Sequence, residues 1–386
     1  MATKGDHLMK KFLVVFIILS LLIGTTISVT ATTVYSTWFH TSQGMEDAES
    51  GYPDTTSFVF SSNYASDHTV YAGTYNGVYK STDSGSTWAS TSSGLDNDHV
   101  NSLAISPNYA SDHSLAAGTG GGVYLSNDYG ANWTDISGAL PDKTIEVVVF
   151  HPSYNYSTLP DLFVGTSTNG VYITTTNSWN WHALNTGLGD QRVRALVFTP
   201  DYASNPNGYL YAGVDWSGGT AGGVFKIKKG NTSWTTLNNG LPTTVPAHLV
   251  VDALAISPNF AADQTIFAGI GAGQGIYRST DGGANWNFLE DTTSLYIQSL
   301  AISPYYPCDR TIFAGEDGGG VYVSRDTGAS WNQMNTGFDS GKSILSLIIA
   351  PGKSNPALTL FAGTFGDGAW QYLYPHNCMY LPLIKR

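Results

Sequence analysis

The feature that most constrains this chain is a set of three strand-like segments that recurs, in order, seven times along residues 57–372. Each repeat opens on an apolar stretch running into a turn, as in SFVFSSNYASD from Ser57 or ALAISPNFAAD from Ala253. A second, β-rich stretch closes on glycine, as in TVYAGT (Thr69–Thr74) and TIFAGE (Thr311–Glu316). A third begins at glycine, as in GVYKS (Gly77–Ser81) and GVYVS (Gly320–Ser324). Successive copies of the opening stretch start 45 to 58 residues apart. Short strands at that period are the signature of propeller blades. A blade sheet that is apolar on both faces cannot stand alone, so stacking around an axis buries what one unit leaves exposed.

A fourth strand starts at a tryptophan in six of the repeats: Trp88, Trp133, Trp181, Trp234, Trp286 and Trp331. The seventh repeat has none at that place. STWFHTSQGM at Ser36–Met45 instead matches STWASTSSGL at Ser86–Leu95, with Trp38 under Trp88. The expectation is an all-β fold: a single seven-bladed β-propeller of four-stranded blades, the last blade closed by the N-terminal strand. Such closure removes the sheet edges that two free ends would expose.

Composition agrees. The 43 glycines and the 12% share of charged residues suit many short strands joined by tight turns. A formal charge of −12 repels phosphate backbones and anionic headgroups, which argues against nucleic acid as a partner. Lys10 and Lys11, the apolar run FLVVFIILSLLI and the VTA at Val29–Ala31 follow the order of a secretory signal peptide, with cleavage after Ala31. The competing reading is an uncleaved anchor, for which twelve apolar residues are short against the roughly 20 that a span needs. The expected organisation is a signal peptide over 1–31, a propeller over 32–374 and a tail over 375–386, in a secreted or cell-surface monomer with no membrane span in the mature chain. The two cysteines, Cys308 and Cys378, fit one disulfide in an exported protein; two unpaired thiols are the alternative.

Between third and fourth strands lies STDSGSTW, with Ser81, Asp83, Gly85 and Trp88 in fixed positions. Copies stand at Ser126, Asp128, Gly130 and Trp133; at Ser279, Asp281, Gly283 and Trp286; and at Ser324, Asp326, Gly328 and Trp331. The copies ending at Trp181 (TTTNSWNW) and Trp234 (IKKGNTSW) have lost the pattern. This motif resembles the S-x-D-x-G-x-x-W Asp-box, or BNR repeat, of the sialidase-like propellers. Its chemistry is that of a hairpin turn: Asp accepts backbone N–H bonds, Gly supplies a positive φ, and Trp packs between sheets. The resemblance puts the boxes on the periphery and active sites near the axis on the opposite face. The Asp residues are therefore structural rather than catalytic or metal-binding.

The family includes enzymes. Sialidases need three arginines around a substrate carboxylate, together with a Tyr–Glu pair and an acid Asp. Of the six arginines here only Arg192 and Arg194 approach the axial strands, and both belong to one repeat. Glycosidases resembling xyloglucanases use two Asp carboxylates in a cleft between two facing propellers, and this chain supplies one propeller. Acidic residues do fall in loops of the axial face: Asp96, Asp98, Asp142, Asp190, Asp215, Glu316, Asp317, Asp339 and Asp367. The photosystem II assembly-factor family is also seven-bladed, but it binds partners through an Arg-rich patch for which too few arginines remain. His68 and His113 follow Asp67 and Asp112 like a metal pair, yet Gln264 and Arg310 take their place in later repeats, so turn chemistry explains them better.

One loop departs from the repeat. AGVDWSGGTAGGVF inserts several residues between second and third strands and carries Asp215 and Trp216. Insertions on one face of a repeat fold often mark binding surfaces. Tyr75, Glu316, Asp317, Phe365 and Asp367 come from the equivalent loops of other repeats and are expected to line the same mouth. Two functions are open: a non-catalytic module binding an extracellular glycan or protein, and a glycoside hydrolase using paired acidic loop residues. The reading calls for no catalytic residue in the first case, and for no metal or cofactor in either.

Overall fold

A computed structural model describes residues 37–46, 51–154, 162–174, 179–188, 192–215, 222–242, 249–338, 341–350 and 357–375. In the first blade the strands run Thr55–Phe60, Val70–Thr74, Gly77–Ser81 and Ala89–Ser90, paired antiparallel in chain order. Burial is greatest in the second strand, where every residue of VYAGT is buried, and least in the fourth, where both residues are exposed. β-branched and aromatic residues suit that pleated, two-sided core. Six sheets follow this plan. The seventh is built from Ile344–Ile349, Ala357–Thr364 and Ala369–Pro375, and its fourth strand is Phe39–His40 from the N-terminal end of the chain. Phe39 pairs with Gln371 and His40 with Trp370. The expected seven-bladed, terminally closed propeller is the observed fold, and all blades lie in one compact unit, Tyr35–Arg386. Among the described residues no helix is long and apolar enough to cross a membrane.

Neighbouring blades meet at two radii. Near the axis, first strands contact one another in a closed circuit. Here the glycine of each second strand faces the next blade. A Cβ on Gly118 would stand 2.6 Å from Ile145, on Gly213 2.8 Å from Val251, and on Gly315 2.6 Å from Ile344. Gly363 closes the circuit, since its Cβ would lie 2.2 Å from the Thr55 carbonyl of blade 1. The glycine of the repeat is there because the next blade approaches too closely for any side chain.

At the outer radius the tryptophans join the blades. The Trp88 indole N–H donates to Thr41 O of the preceding blade, Trp133 to Thr91 O, Trp234 to Leu184 O and Trp286 to Leu237 O. Backbone N–H groups of the same residues reach the preceding blade too, as in Trp88 to Gln43 O and Trp133 to Ser93 O. Trp38 does this for the seventh blade, donating from its indole to Met334 O and from its backbone to Thr336 O. Trp331 is the exception. Its indole bonds Gly328 O in its own turn, because a 3₁₀ turn at Glu290–Thr292 follows the fourth strand of the preceding blade.

The S-x-D-x-G-x-x-W turns are alike in detail. In the first, Asp83 Oδ1 accepts from Ser81 Oγ (2.7 Å) and Thr87 N (2.9 Å), and Ser81 Oγ accepts from Gly85 N (2.8 Å). Ser84 and Gly85 take φ of 63° and 88°. Asp128, Asp281 and Asp326 repeat the arrangement. Burial would raise the Asp83 carboxyl, but donations from Thr87, Ser81 and Ser86 outweigh it and hold it below the usual carboxylate range.

His68, His113, Gln264 and Arg310 each end a four-residue helix with φ between 47° and 56°. The preceding Asp bonds the turn, Asp67 accepting from Ser61 Oγ and Thr69 N. These are turn positions. Among the described residues no cysteine is free, and Cys308 is in a disulfide; Cys378 and the rest of the tail from residue 376 lie outside the described residues.

Trp38 is 2% exposed and joins blade 6 to blade 7, whereas its neighbour Phe39 is 37% exposed. Trp38→Ala should therefore cost about 3–5 kcal/mol in urea unfolding followed by far-UV circular dichroism, and Phe39→Ala about 0.5 kcal/mol. Equal costs for the two would refute the closure argument.

Candidate functional site

In every blade the first strand carries a β-bulge at one residue. The register skips Thr56, Asn101, Glu146, Arg194, Asp252, Gln298 and Leu345 in blades 1 to 7. A bulge re-aims its residue away from the ladder. Since first strands form the inner circuit, these seven positions ring the axial channel, and each is half-buried. Thr56 Oγ1 donates to Val100 O of the next blade (2.6 Å), and Asn101 Nδ2 to Ile145 O (3.0 Å).

Blades 3 to 5 fill this ring with charge. Arg192 spans Glu146 (3.2 Å) and Asp215 (3.7 Å); Arg194 spans Asp215 (3.2 Å) and Asp252 (3.1 Å). The result is a row of alternating sign, Glu146–Arg192–Asp215–Arg194–Asp252, with one carboxylate in excess. Burial pushes the Asp252 carboxyl up to about 6; Arg194 opposes this, and the Asp215 carboxylate adds to it.

The opposite arc is aromatic. Tyr75 of blade 1 is 38% exposed and stacks on His99 at 4.9 Å; Tyr296, which leads into blade 6, is 50% exposed, and Phe365 of blade 7 is 64% exposed. All lie on the face formed by the loops between second and third strands and those between blades. Burial pushes the Tyr75 hydroxyl up, and the Asp54 and Glu146 carboxylates add to the shift.

The residues expected at the mouth divide. Tyr75, Asp215, Asp317 and Phe365 occupy one equivalent position, just past the core of the second strand in blades 1, 4, 6 and 7. Asp215 is not displayed on the inserted loop as expected. It ends the strand Tyr209–Asp215, is buried, and is held by both guanidinium groups. Trp216 lies outside the described residues, as do Asp190 and Asp339. Asp317 accepts from Ser343 Oγ (2.5 Å); Asp367 is paired with Lys342 (2.5 Å) and accepts from the Trp370 indole (3.1 Å). Glu316 does not line the mouth as expected. It is 8% exposed and takes the place at which Thr74, Thr119 and Thr364 hold the turn, folded so closely on Gly319 that no Cβ would fit there. Burial raises its carboxyl.

Glu146, Asp252 and Tyr296 were not among the residues expected from sequence. The bulge residues form the column just before the repeated opening stretch, and that column is chemically different in every copy while the residue before it is Val or Ile in six of the seven. A variable column beside an apolar repeat was the available signal. Among the described residues no group of three or more His, Cys, Asp or Glu gathers as a metal site would require.

No family model matches the chain, and no curated protein matches it in sequence. Solved structures match in fold. YCF48 bound to D1 peptide is 16% identical with a TM-score of 0.60, over 88% of this chain and 97% of that one. The extracellular domain of the one component system BT4673 from B. thetaiotaomicron is 17% identical at a TM-score of 0.61, over 86% of this chain. The GH74 enzyme of Niastella koreensis is 18% identical at a TM-score of 0.58, over 85% of this chain. The chain spans 39% of the BT4673 domain and 53% of the GH74 enzyme. The shared property is the seven-bladed propeller.

The Asp252 carboxyl is harder to ionise in the folded chain than in the unfolded one, so the native state keeps an extra proton between about pH 4 and about pH 6. That contribution to stability is complete below about pH 4 and is lost as pH rises through about 6. Asp252→Asn cannot ionise. Its unfolding free energy relative to wild type should move in the variant's favour by about 2–3 kcal/mol between about pH 4 and about pH 8 in denaturant titrations. A difference that does not vary with pH would contradict the buried, ionising carboxyl.

Proposed function

We propose that the chain is an exported Asp-box propeller that binds an extracellular glycan or protein through its axial loop face, without catalysis. In this reading residues 1–31 are a signal peptide, 32–374 the propeller and 375–386 a tail tied back through Cys308–Cys378. The mature protein is a monomer.

The observation that carries the reading is the division of one face into exposed aromatics on blades 6, 7 and 1 and a row of ion pairs on blades 3 to 5. Aromatic faces displayed to solvent beside polar groups suit a ligand with flat apolar surfaces and hydrogen-bonding edges. Four of the nine loop acids considered for catalysis are committed to partners: Asp215 to two arginines, Asp317 to Ser343, Asp367 to Lys342, and Asp142 to Ser167 and Thr168. A hydrolase needs one carboxyl to give a proton and another to act as base or nucleophile. The second reading, a glycoside hydrolase, draws support from Asp252 alone, whose carboxyl at about 6 lies in the range of a general acid. It requires Arg194 to release that group.

Incubating the mature protein with a panel of polysaccharides and extracellular proteins, and measuring retention and released sugar together, separates the two. Binding predicts retention with no sugar released. Tyr75→Ala with Phe365→Ala should weaken retention about tenfold, the size of losing one or two stacking contacts of about 0.5–1.5 kcal/mol each. Sugar release that Asp215→Asn or Asp252→Asn abolishes would establish the hydrolase instead.

A further inference from the structure

A second surface, at the outer edge of the fold, lies where blades 2 and 3 meet. Two clefts of about 470 Å³ and about 480 Å³ adjoin there and share Ile136 and Trp179 as lining. Both volumes fall in the range of small-ligand sites.

Trp179 is out of place in the repeat. The equivalent residue, two before the stitching tryptophan, is Ser86, Ala131, Thr232, Ala284 or Ala329 in the other copies. Its backbone is also unusual. Trp179 takes a φ of 51°, whereas the equivalent residues of the four intact boxes, Ser86, Ala131, Ala284 and Ala329, have no positive φ. A bulky residue in that region is a genuine outlier, and such strain persists where the surroundings impose it. The floor beneath is rigid, because the Trp181 indole donates to Ile136 O (2.9 Å).

The cleft walls carry amides and carboxylates. Asn132 donates from its backbone and Nδ2 to Asp128, so among the described residues its Oδ1 is unspent. Asn127 Oδ1 accepts from Ser114 Oγ, which leaves its Nδ2 unspent among the described residues. Asp128 and Asp135 line the clefts, and the only basic side chain among the lining residues is His182. An anionic ligand meets repulsion here. A neutral ring with an apolar face for the indole and hydroxyls for amide and carboxylate edges meets complementary groups on each side.

We infer that this rim groove binds a neutral oligosaccharide, with one pyranose ring stacked on Trp179 and the chain continuing into the adjoining cleft. The site is separate from the axial mouth and stands whether or not that mouth binds a ligand.

The test is calorimetric titration of the full chain, with tryptophan fluorescence in parallel, using cello-, xylo-, manno- and chito-hexaoses and a hexagalacturonate. Wild type should bind at least one neutral hexaose, and Trp179→Ala should weaken that binding about tenfold or more, with Trp179→Phe between the two. In a Tyr75→Ala, Phe365→Ala background, which removes any axial contribution, the loss on Trp179→Ala should persist, which separates this site from the axial one. If Trp179→Ala does not fold by circular dichroism, Trp179→Phe and Asn132→Ala carry the same comparison. Absence of binding to every neutral hexaose, preferential binding of the galacturonate, or binding unaffected by the Trp179 variants would overturn the inference.

Discussion

Everything in this molecule depends on how closely one blade can approach the next. At the inner radius the second-strand glycine leaves room for the first strand of its neighbour, and any Cβ there would sit inside van der Waals distance. At the outer radius an indole N–H reaches a carbonyl of the preceding blade. The two contacts hold each blade at both ends of its radius, so the wedge angle repeats and the ring can close. Closure makes the blades mutually dependent. Without Trp38 and the strand that follows it, blade 7 has no outer strand and blade 6 loses its neighbour's stitch.

That rigid frame explains how charge is tolerated at the axis. Ion pairs removed from water are stabilising only when geometry is fixed and every partner is satisfied. Arg192 and Arg194 come from one strand, Arg194 at its bulge and Arg192 two residues before it, and they reach acids on the blades before and after. Burial is the main cause of the raised Asp252 carboxyl, and the excess carboxylate adds to it. Blades 6, 7, 1 and 2 put Gln298, Leu345, Thr56 and Asn101 at the same ring positions, so the ring is charged on one side only.

The box turns show how far a motif can be read. Its hydrogen bonds follow from residue type, and the structure repeats them in four copies. Where the motif decays, the local geometry changes: Thr174, in the place of the box serine, accepts from Leu162 N in its own sheet, and Trp179 takes a positive φ that its counterparts in the intact boxes do not. The rim of blade 3 is open for that reason. Loss of a structural pattern, rather than presence of a catalytic one, marks the unusual surface.

The sequence by itself determined the blade count, the strand order, the terminal closure and the structural role of the box aspartates. Each of these follows from periodicity and from turn chemistry that is local in the chain. It also pointed to the residues just past the second strand, because their loops share one face of every blade. Only the tertiary structure decided which of them are free. Asp215 and Glu316 read as exposed loop acids, yet one is clamped between guanidinium groups and the other is folded beneath a turn. Their partners are set by bulges that turn single residues toward the axis and by contacts between blades tens of residues apart. Strand periodicity carries no record of such contacts, since a one-residue bulge shifts a side chain without disturbing the apolar pattern on either side.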